Sequence, residues 1–137
     1  MQSSDGIRIL IADDDPSVVD FIMACLGSQQ CIKKILKAED GSVALRKIEN
    51  QQFDIIIMDI EMPRVKGTKV IHDTVSSKIL RPENFVVVSA HLNSDEIKAV
   101  MKLGVTNIIV KPVTKEKLIE KINSMLKKLK LPFELIL

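Results

Sequence analysis

Aromatic residues are scarce in this 137-residue sequence, which has no tryptophan, no tyrosine and only four phenylalanines. Proteins that bind single-stranded nucleic acid stack its bases on aromatic side chains, so the scarcity argues against that class. Lysine and arginine number 20 and aspartate and glutamate 18, which gives a formal net charge of +2. This balance is too even for nucleic-acid binding through bulk charge. We therefore expect no direct nucleic-acid partner.

Cysteine and long apolar runs are scarce as well. Cys25 and Cys31 have no further cysteine with which to build a metal site or a disulfide framework. No apolar run reaches the length of about 18 residues that a membrane span needs, and no basic segment leads a signal peptide at the N-terminus. We expect a cytoplasmic chain with two reduced thiols and no membrane partner.

The order of the predicted elements indicates the fold class. Short apolar runs rich in β-branched residues predict five strands, at 7–12, 31–38, 53–58, 85–88 and 107–110. Helical spacing of apolar residues predicts five helices between and after them, at 16–26, 42–49, 68–80, 93–103 and from 114 onward. Such alternation is typical of an α/β domain with a parallel sheet between two layers of helices. We expect one domain over 1–137 with its core at about 7–129, while the strand order stays open.

Four of the predicted strands end in polar or charged residues: Asp13, Asp14 and Asp15 after the first, Asp59 after the third, Ser89 after the fourth and Lys111 after the fifth. Parallel strands bring these ends to one edge of the sheet, where ligands bind. Clustered carboxylates repel one another unless they hold a cation, and an oxygen-only ligand set favours Mg²⁺. A lysine and a hydroxyl suit the oxygens of a phosphoryl group, which an aspartate can accept as nucleophile. The predicted chemistry is reversible phosphorylation of an aspartate.

Taken together in this order, these residues resemble the receiver domain of the two-component response-regulator family over about residues 7–129. The motifs are Asp13-Asp14 after the first strand, Asp59 within Met58-Asp59-Ile60-Glu61-Met62-Pro63, Ser89-Ala90, and Lys111-Pro112. The resemblance implies a doubly wound, flavodoxin-like (βα)5 fold with a five-stranded parallel sheet in the order 2-1-3-4-5.

The resemblance also implies which residues hold the metal and which accepts phosphate. Asp59 would be the phosphoacceptor and a ligand of Mg²⁺. Asp14 would bind Mg²⁺ directly, whereas Asp13 would bind it largely through water. The third protein ligand would be the backbone carbonyl of Glu61, two residues after the phosphoacceptor.

Two further residues would respond to the phosphate. Ser89 would bond a phosphoryl oxygen and shift when phosphate arrives, and Lys111 would pair with the acyl phosphate. The bond between Lys111 and Pro112 is often cis in the family. The family often carries Tyr or Phe three residues before this lysine, and here Ile108 departs from that aromatic switch.

The implied function is a phosphorylation-dependent signalling switch that is not itself an enzyme, although it assists its own phosphorylation and dephosphorylation. Its phosphodonor would be a histidine kinase or a phosphotransfer protein, and its output a downstream protein or an effector domain absent from this chain. A homodimer through the last two helices is a further expectation. Residues 131–137 are an apolar tail or the start of a linker, so the chain is a stand-alone receiver or a piece of a longer regulator.

Two alternative functions stay open. A receiver-shaped interaction module that works without phosphate fits Ile108, although the full set of acceptor residues counts against it. A metal-dependent phosphatase with an aspartate nucleophile, of the haloacid-dehalogenase type, carries Asp-x-Asp after its first strand. Here Asp59-Ile60-Glu61 follows the third predicted strand.

Overall fold

The computed structural model describes residues 5–137. Its five strands form one parallel sheet: β1 (Ile7–Ala12), β2 (Ile32–Ala38), β3 (Ile55–Asp59), β4 (Phe85–Ser89) and β5 (Asn107–Val110). The strands lie in the order β2-β1-β3-β4-β5. The doubly wound α/β fold and its 2-1-3-4-5 order are confirmed.

Helices cover both faces of the sheet: α1 (Pro16–Leu26), α2 (Gly41–Asn50), α3 (Gly67–Ser76), α4 (Asp95–Lys102) and α5 (Lys115–Lys128). One apolar cluster lies under α1 and α5, and a second lies under α2, α3 and α4. Successive residues of β1 belong to opposite clusters: Ile9 lies in the cluster under α1 and α5, and Leu10 lies in the cluster on the other face. Strands buried on both faces have continuous apolar sequences, which is why they were predictable. Within residues 5–137, no helix is long and apolar enough to cross a membrane.

The start of the fourth helix and the end of the third helix differ from the prediction for a visible reason. The fourth helix does not start with Asn93 as its cap, because the Ser94 side chain accepts the backbone N–H of Ile97 (3.2 Å) and α4 begins at Asp95. The third helix ends at Ser76 and not near residue 80, because Lys78 adopts a left-handed backbone conformation with φ of 64°. Apolar residues after Ser76 continue the helical spacing in the sequence, and the prediction therefore placed the end of the helix too late.

Strand starts differ by one or two residues. β2 begins one residue later than predicted. β3 begins at Ile55, two residues later than predicted, because residues 53 and 54 belong to the loop before the strand. There, the side chain of Asp54 accepts the backbone N–H of Arg8 (2.8 Å), outside the strand ladder. The second helix is one residue longer at each end than the predicted 42–49.

The apolar segment after α5 packs against the domain. Leu131 and Leu135 are buried and join the cluster under α1 and α5. The Asn123 amide donates to the backbone carbonyl of Leu135 (3.0 Å) and accepts its N–H (2.7 Å). Buried apolar contacts therefore continue past residue 129 to residue 135.

Candidate functional site

The pairing register brings four strand ends to one edge of the sheet. Ala12 of β1 pairs with Met58 of β3, and Asp59 pairs with Val88 of β4. Ser89 pairs in turn with Val110 of β5. All six predicted site residues lie at or just beyond these ends: Asp13, Asp14, Asp59, Glu61, Ser89 and Lys111.

Three carboxylates meet at the centre of this edge. Asp13, Asp14 and Asp59 each place a carboxylate oxygen within 4.8 Å of the other two. Asp13 and Asp59 are only 4% and 5% exposed, whereas Asp14 faces solvent. The backbone N–H of Asp15 donates to Asp13 Oδ1 (2.9 Å) and fixes the orientation of that carboxylate. A compact, oxygen-only set with one open side suits Mg²⁺, which keeps several waters, so the residues present fit this ion.

Burial and mutual repulsion disfavour the charged form of two of these groups. Burial raises the pKa of Asp59 to about 6, and the neighbouring charges of Asp13 and Asp14 add to the effect. The backbone N–H of Glu61, 3.2 Å from Asp59 Oδ1, and the Lys111 ammonium partly offset this rise in pKa. Burial likewise raises the pKa of Asp13. A divalent cation would relieve both carboxylates of this cost.

Lys111 supplies the positive charge of the site. Its Nζ lies 3.7 Å from Asp59 Oδ2, and its backbone N–H donates to the carbonyl of Ser89 (2.8 Å). The following peptide bond, Lys111–Pro112, is cis, as the family resemblance implied. The lysine thus begins the connection from β5 to α5 with its charge beside Asp59.

Ser89 is buried at the end of β4, one residue beyond the ladder partner of Asp59. Its hydroxyl donates to the backbone carbonyl of His91 and accepts the N–H of the same residue, both at 3.1 Å. The hydroxyl therefore closes its own turn in this structure. A move toward a phosphoryl oxygen would release both of these bonds.

Sequence reasoning missed a contact between the loop after β3 and the start of α2. Asp40, a buried N-cap residue, accepts a hydrogen bond from the guanidinium of Arg64 at 2.9 Å. In the sequence, Asp40 and Gly41 lie between the predicted second strand and the predicted helix at 42–49. No periodic pattern links Asp40 to a residue 24 positions later.

Comparison with known proteins places the chain in a family. Residues 9–123 match the family described as response regulator receiver domain, and the chain belongs to this family. It is 31% identical over 116 residues to the CAI-1 autoinducer sensor kinase/phosphatase CqsS of Vibrio cholerae, covering 84% of this chain and 17% of that protein. The curated relatives that it matches are longer, since it spans 13% to 33% of their lengths.

Solved structures show the same fold. A CheY-like response regulator receiver domain protein from Methanospirillum hungatei superposes with a TM-score of 0.80 at 26% identity, covering 91% of this chain and 97% of that one. The CheX–CheY–BeF3–Mg²⁺ complex from Borrelia burgdorferi matches with a TM-score of 0.75 at 26% identity, over 86% of this chain and 87% of that chain. The protein described here is a receiver domain of two-component signalling.

Proposed function

We propose that this receiver domain is a switch operated by phosphorylation of Asp59 in the presence of Mg²⁺. One observation carries the proposal: the Asp59 carboxylate is buried within 4.8 Å of two further carboxylates and 3.7 Å from the Lys111 ammonium. A nucleophile, a cation site and a positive charge for the phosphoryl oxygens are then in one place.

The phosphoryl transfer needs few protein groups. A carboxylate oxygen of Asp59 attacks the phosphorus of a phosphohistidine, the P–N bond breaks, and the imidazole leaves with the electron pair and takes up a proton from solvent. Mg²⁺ held by Asp13, Asp14, Asp59 and the backbone carbonyl of Glu61 would neutralise charge on the phosphoryl oxygens. Lys111 pairs with one of these oxygens and stabilises the acyl phosphate. In the return step, water attacks the phosphorus, the P–O bond to Asp59 breaks, and inorganic phosphate leaves while the Asp59 carboxylate is restored.

The proposed output begins at Ser89. Its hydroxyl leaves the turn with His91 for a phosphoryl oxygen, and the turn that it closed changes shape. The surface that this loop and α4 present to a partner would then differ between the unphosphorylated and the phosphorylated protein. Ile108 in β5, opposite Val87, supplies no aromatic ring to the change.

The proposed partners follow from this chemistry. The phosphodonor is a histidine kinase or a phosphotransfer protein in the cytoplasm, and a sensor kinase/phosphatase among the relatives supports that class. The similar structure of the CheX–CheY–BeF3–Mg²⁺ complex supports both a protein partner and the metal. The receiver, proposed as one domain over 1–137, acts on a downstream protein or an effector domain. A homodimer through α4 and α5 stays a prediction.

A phosphate-independent interaction module is the second candidate, and Ile108 in place of an aromatic residue favours it. A phosphatase of the haloacid-dehalogenase type has less support, because Asp59 ends the third strand and not the first. Acceptance of a phosphoryl group would distinguish the phosphorylation switch from the phosphate-independent module. Turnover of a phosphomonoester would distinguish the phosphatase from both.

The test is intact-mass spectrometry after incubation with acetyl phosphate, with and without Mg²⁺. We expect a gain of about 80 Da, the mass of HPO₃, that requires Mg²⁺ and is lost in Asp59→Asn. Asp20→Asn, which alters an exposed aspartate of α1, is the matched control and should keep the gain. Absence of any mass gain in the wild-type protein would support the phosphate-independent module.

A further inference from the structure

The start of α2 lies directly against the loop that follows Asp59. We name residues 60–66, which join β3 to α3, the acceptor loop. A Cβ atom built on Gly41 would lie 1.7 Å from the carbonyl oxygen of Val65 and 2.6 Å from its carbonyl carbon. No side chain fits at these distances, so glycine is required by space. Its backbone is helical, because Gly41 is the first residue of α2 and is not among the positive-φ glycines.

A charged contact lies beside this close approach. Asp40 is 3% exposed, and its Oδ1 accepts the backbone N–H of Val43 (2.9 Å) and the hydroxyl of Ser42 (2.7 Å). Its Oδ2 accepts Nη1 of Arg64 (2.9 Å). One carboxylate thus caps α2 with one oxygen and binds the acceptor loop with the other.

The backbone of Arg64 shows that the loop is held in place. Its φ is 65°, in the left-handed region that side-chain-bearing residues rarely adopt. Such a conformation persists where surrounding contacts determine it. The ion pair with Asp40 and the contact between Gly41 and Val65 are contacts of this kind.

We propose that Asp40, Gly41 and Arg64, together named the loop anchor, position the acceptor loop and thereby set the affinity of the site for Mg²⁺. The inference rests on the proposed function, in which the backbone carbonyl of Glu61 is a metal ligand. Mg²⁺ demands near-ideal octahedral geometry, so a shift of this carbonyl lowers affinity. The three are positioning residues, since they act through the loop.

Gly41→Ala tests the close contact. The added Cβ forces Val65 to move by about 1 Å or more before ordinary contact distances return. Alanine favours a helix more than glycine does, so helix propensity does not oppose this change. We expect the Mg²⁺ dissociation constant, measured by calorimetry, to rise about tenfold, as for loss of other outer-shell supports. The matched control is Gly27→Ala at the end of α1, where φ is −65° and the nearest atom is 3.0 Å away.

Arg64→Met tests the charged contact. It also keeps the proposal testable if Gly41→Ala fails to fold. It should also weaken Mg²⁺ binding several-fold, and Arg64→Lys should restore part of the affinity. Asp40→Asn retains an oxygen for the helix cap but loses the charge that faces Arg64. The double variant combines Arg64→Met with Asp40→Asn. If loss of the ion pair is the cause, the double variant binds Mg²⁺ no more weakly than whichever single variant binds it more weakly. Lys69→Met, which breaks an exposed ion pair with Asp73 on α3, is the control.

Urea unfolding without Mg²⁺, run on each variant, separates positioning from stability. Weaker Mg²⁺ binding in Gly41→Ala and Arg64→Met, with both controls unchanged, supports the loop anchor. Lower stability with an unchanged Mg²⁺ dissociation constant overturns it and leaves the proposed function intact. A wild-type protein that binds no Mg²⁺ overturns the metal site of the proposed function itself, and the inference with it.

Discussion

Lys111 and Asp59 form an ion pair in which the ammonium nitrogen lies 3.7 Å from a carboxylate oxygen. This distance exceeds the roughly 3.2 Å limit of an ordinary N–H···O hydrogen bond. Asp59 ends β3 and Lys111 directly follows β5, and these two strands are separated in the sheet by β4. The ammonium is therefore paired with the carboxylate by charge but not by a hydrogen bond, and its N–H groups remain available for a phosphoryl oxygen.

Lys111→Ala should separate phosphorylation from its consequence. We expect acetyl phosphate still to add a phosphoryl group, although at lower yield, because Asp59 and the carboxylate cluster are unchanged. The conformational response should be lost, since the charge that pairs with the acyl phosphate is gone. Intact mass measures the first effect, and amide NMR shifts on addition of beryllofluoride, a mimic of the acyl phosphate, measure the second. An unchanged shift pattern in the variant would contradict this role for Lys111.

Asp59 should make the Mg²⁺-free protein less stable at neutral pH than at mildly acidic pH. Its pKa is raised from 3.8 to about 6, so the folded state binds this proton more tightly than the unfolded chain does. The free energy of unfolding should then fall as the pH rises from about 4 to about 6 and stay low above it. The cost is at most about 3 kcal/mol, from about 1.4 kcal/mol per pKa unit.

Asp59→Asn removes this titrating group and should be more stable than the wild type at pH 7 without metal. Urea unfolding between about pH 4 and pH 8 measures both profiles. Asp20→Asn should keep the wild-type profile, because this aspartate is exposed. Parallel profiles for Asp59→Asn and the wild type would show that ionisation of Asp59 does not lower the free energy of unfolding.

Mg²⁺ should stabilise the folded protein. The three carboxylates repel one another without a cation, and the unfolded chain has no preformed site. Ligand at about 100 times its dissociation constant adds roughly 2.7 kcal/mol to the free energy of unfolding. Thermal melts with and without millimolar Mg²⁺ test this, with Asp14→Ala expected to abolish the shift and Asp20→Ala to retain it. An equal shift in Asp14→Ala would count against the metal assignment.

Phosphorylation should loosen the turn that Ser89 closes. Beryllofluoride with Mg²⁺ should change hydrogen-exchange protection over residues 90–100, which include the loop and the first part of α4. Less change is expected at Ile108. Ser89→Ala should abolish the response, because it lacks the hydroxyl that moves. Changes confined to α2 and α3 would place the output face elsewhere.

Much of the fold was predictable because a parallel sheet is buried on both faces. Every residue of β3 and β4 is buried, and each strand appears in the sequence as an apolar run that ends in one polar residue. The site followed from the same fact, since the residues that end these runs share one edge. Asp59 and Ser89 were identified in this way, and Lys111 was identified as the residue that follows β5 at the same edge.

Tertiary contacts account for what could not be predicted. The left-handed backbone at Lys78 ends α3, yet the sequence there has no glycine to mark a stop. The partner of Asp40 is Arg64, 24 residues away, and the requirement for glycine at position 41 comes from the backbone of Val65. Neither relationship leaves a periodic or local signal.

The most direct test of the central claim is to locate the phosphoryl group on the chain. The wild-type protein is treated with acetyl phosphate and Mg²⁺ and then with borohydride, which reduces an aspartyl phosphate to homoserine. Peptide mass spectrometry should find homoserine at position 59 and none at Asp13 or Asp14, because Asp59 alone has Lys111 as an ion-pair partner among residues 5–137. Homoserine at another aspartate, with Asp59 unmodified, would contradict the account.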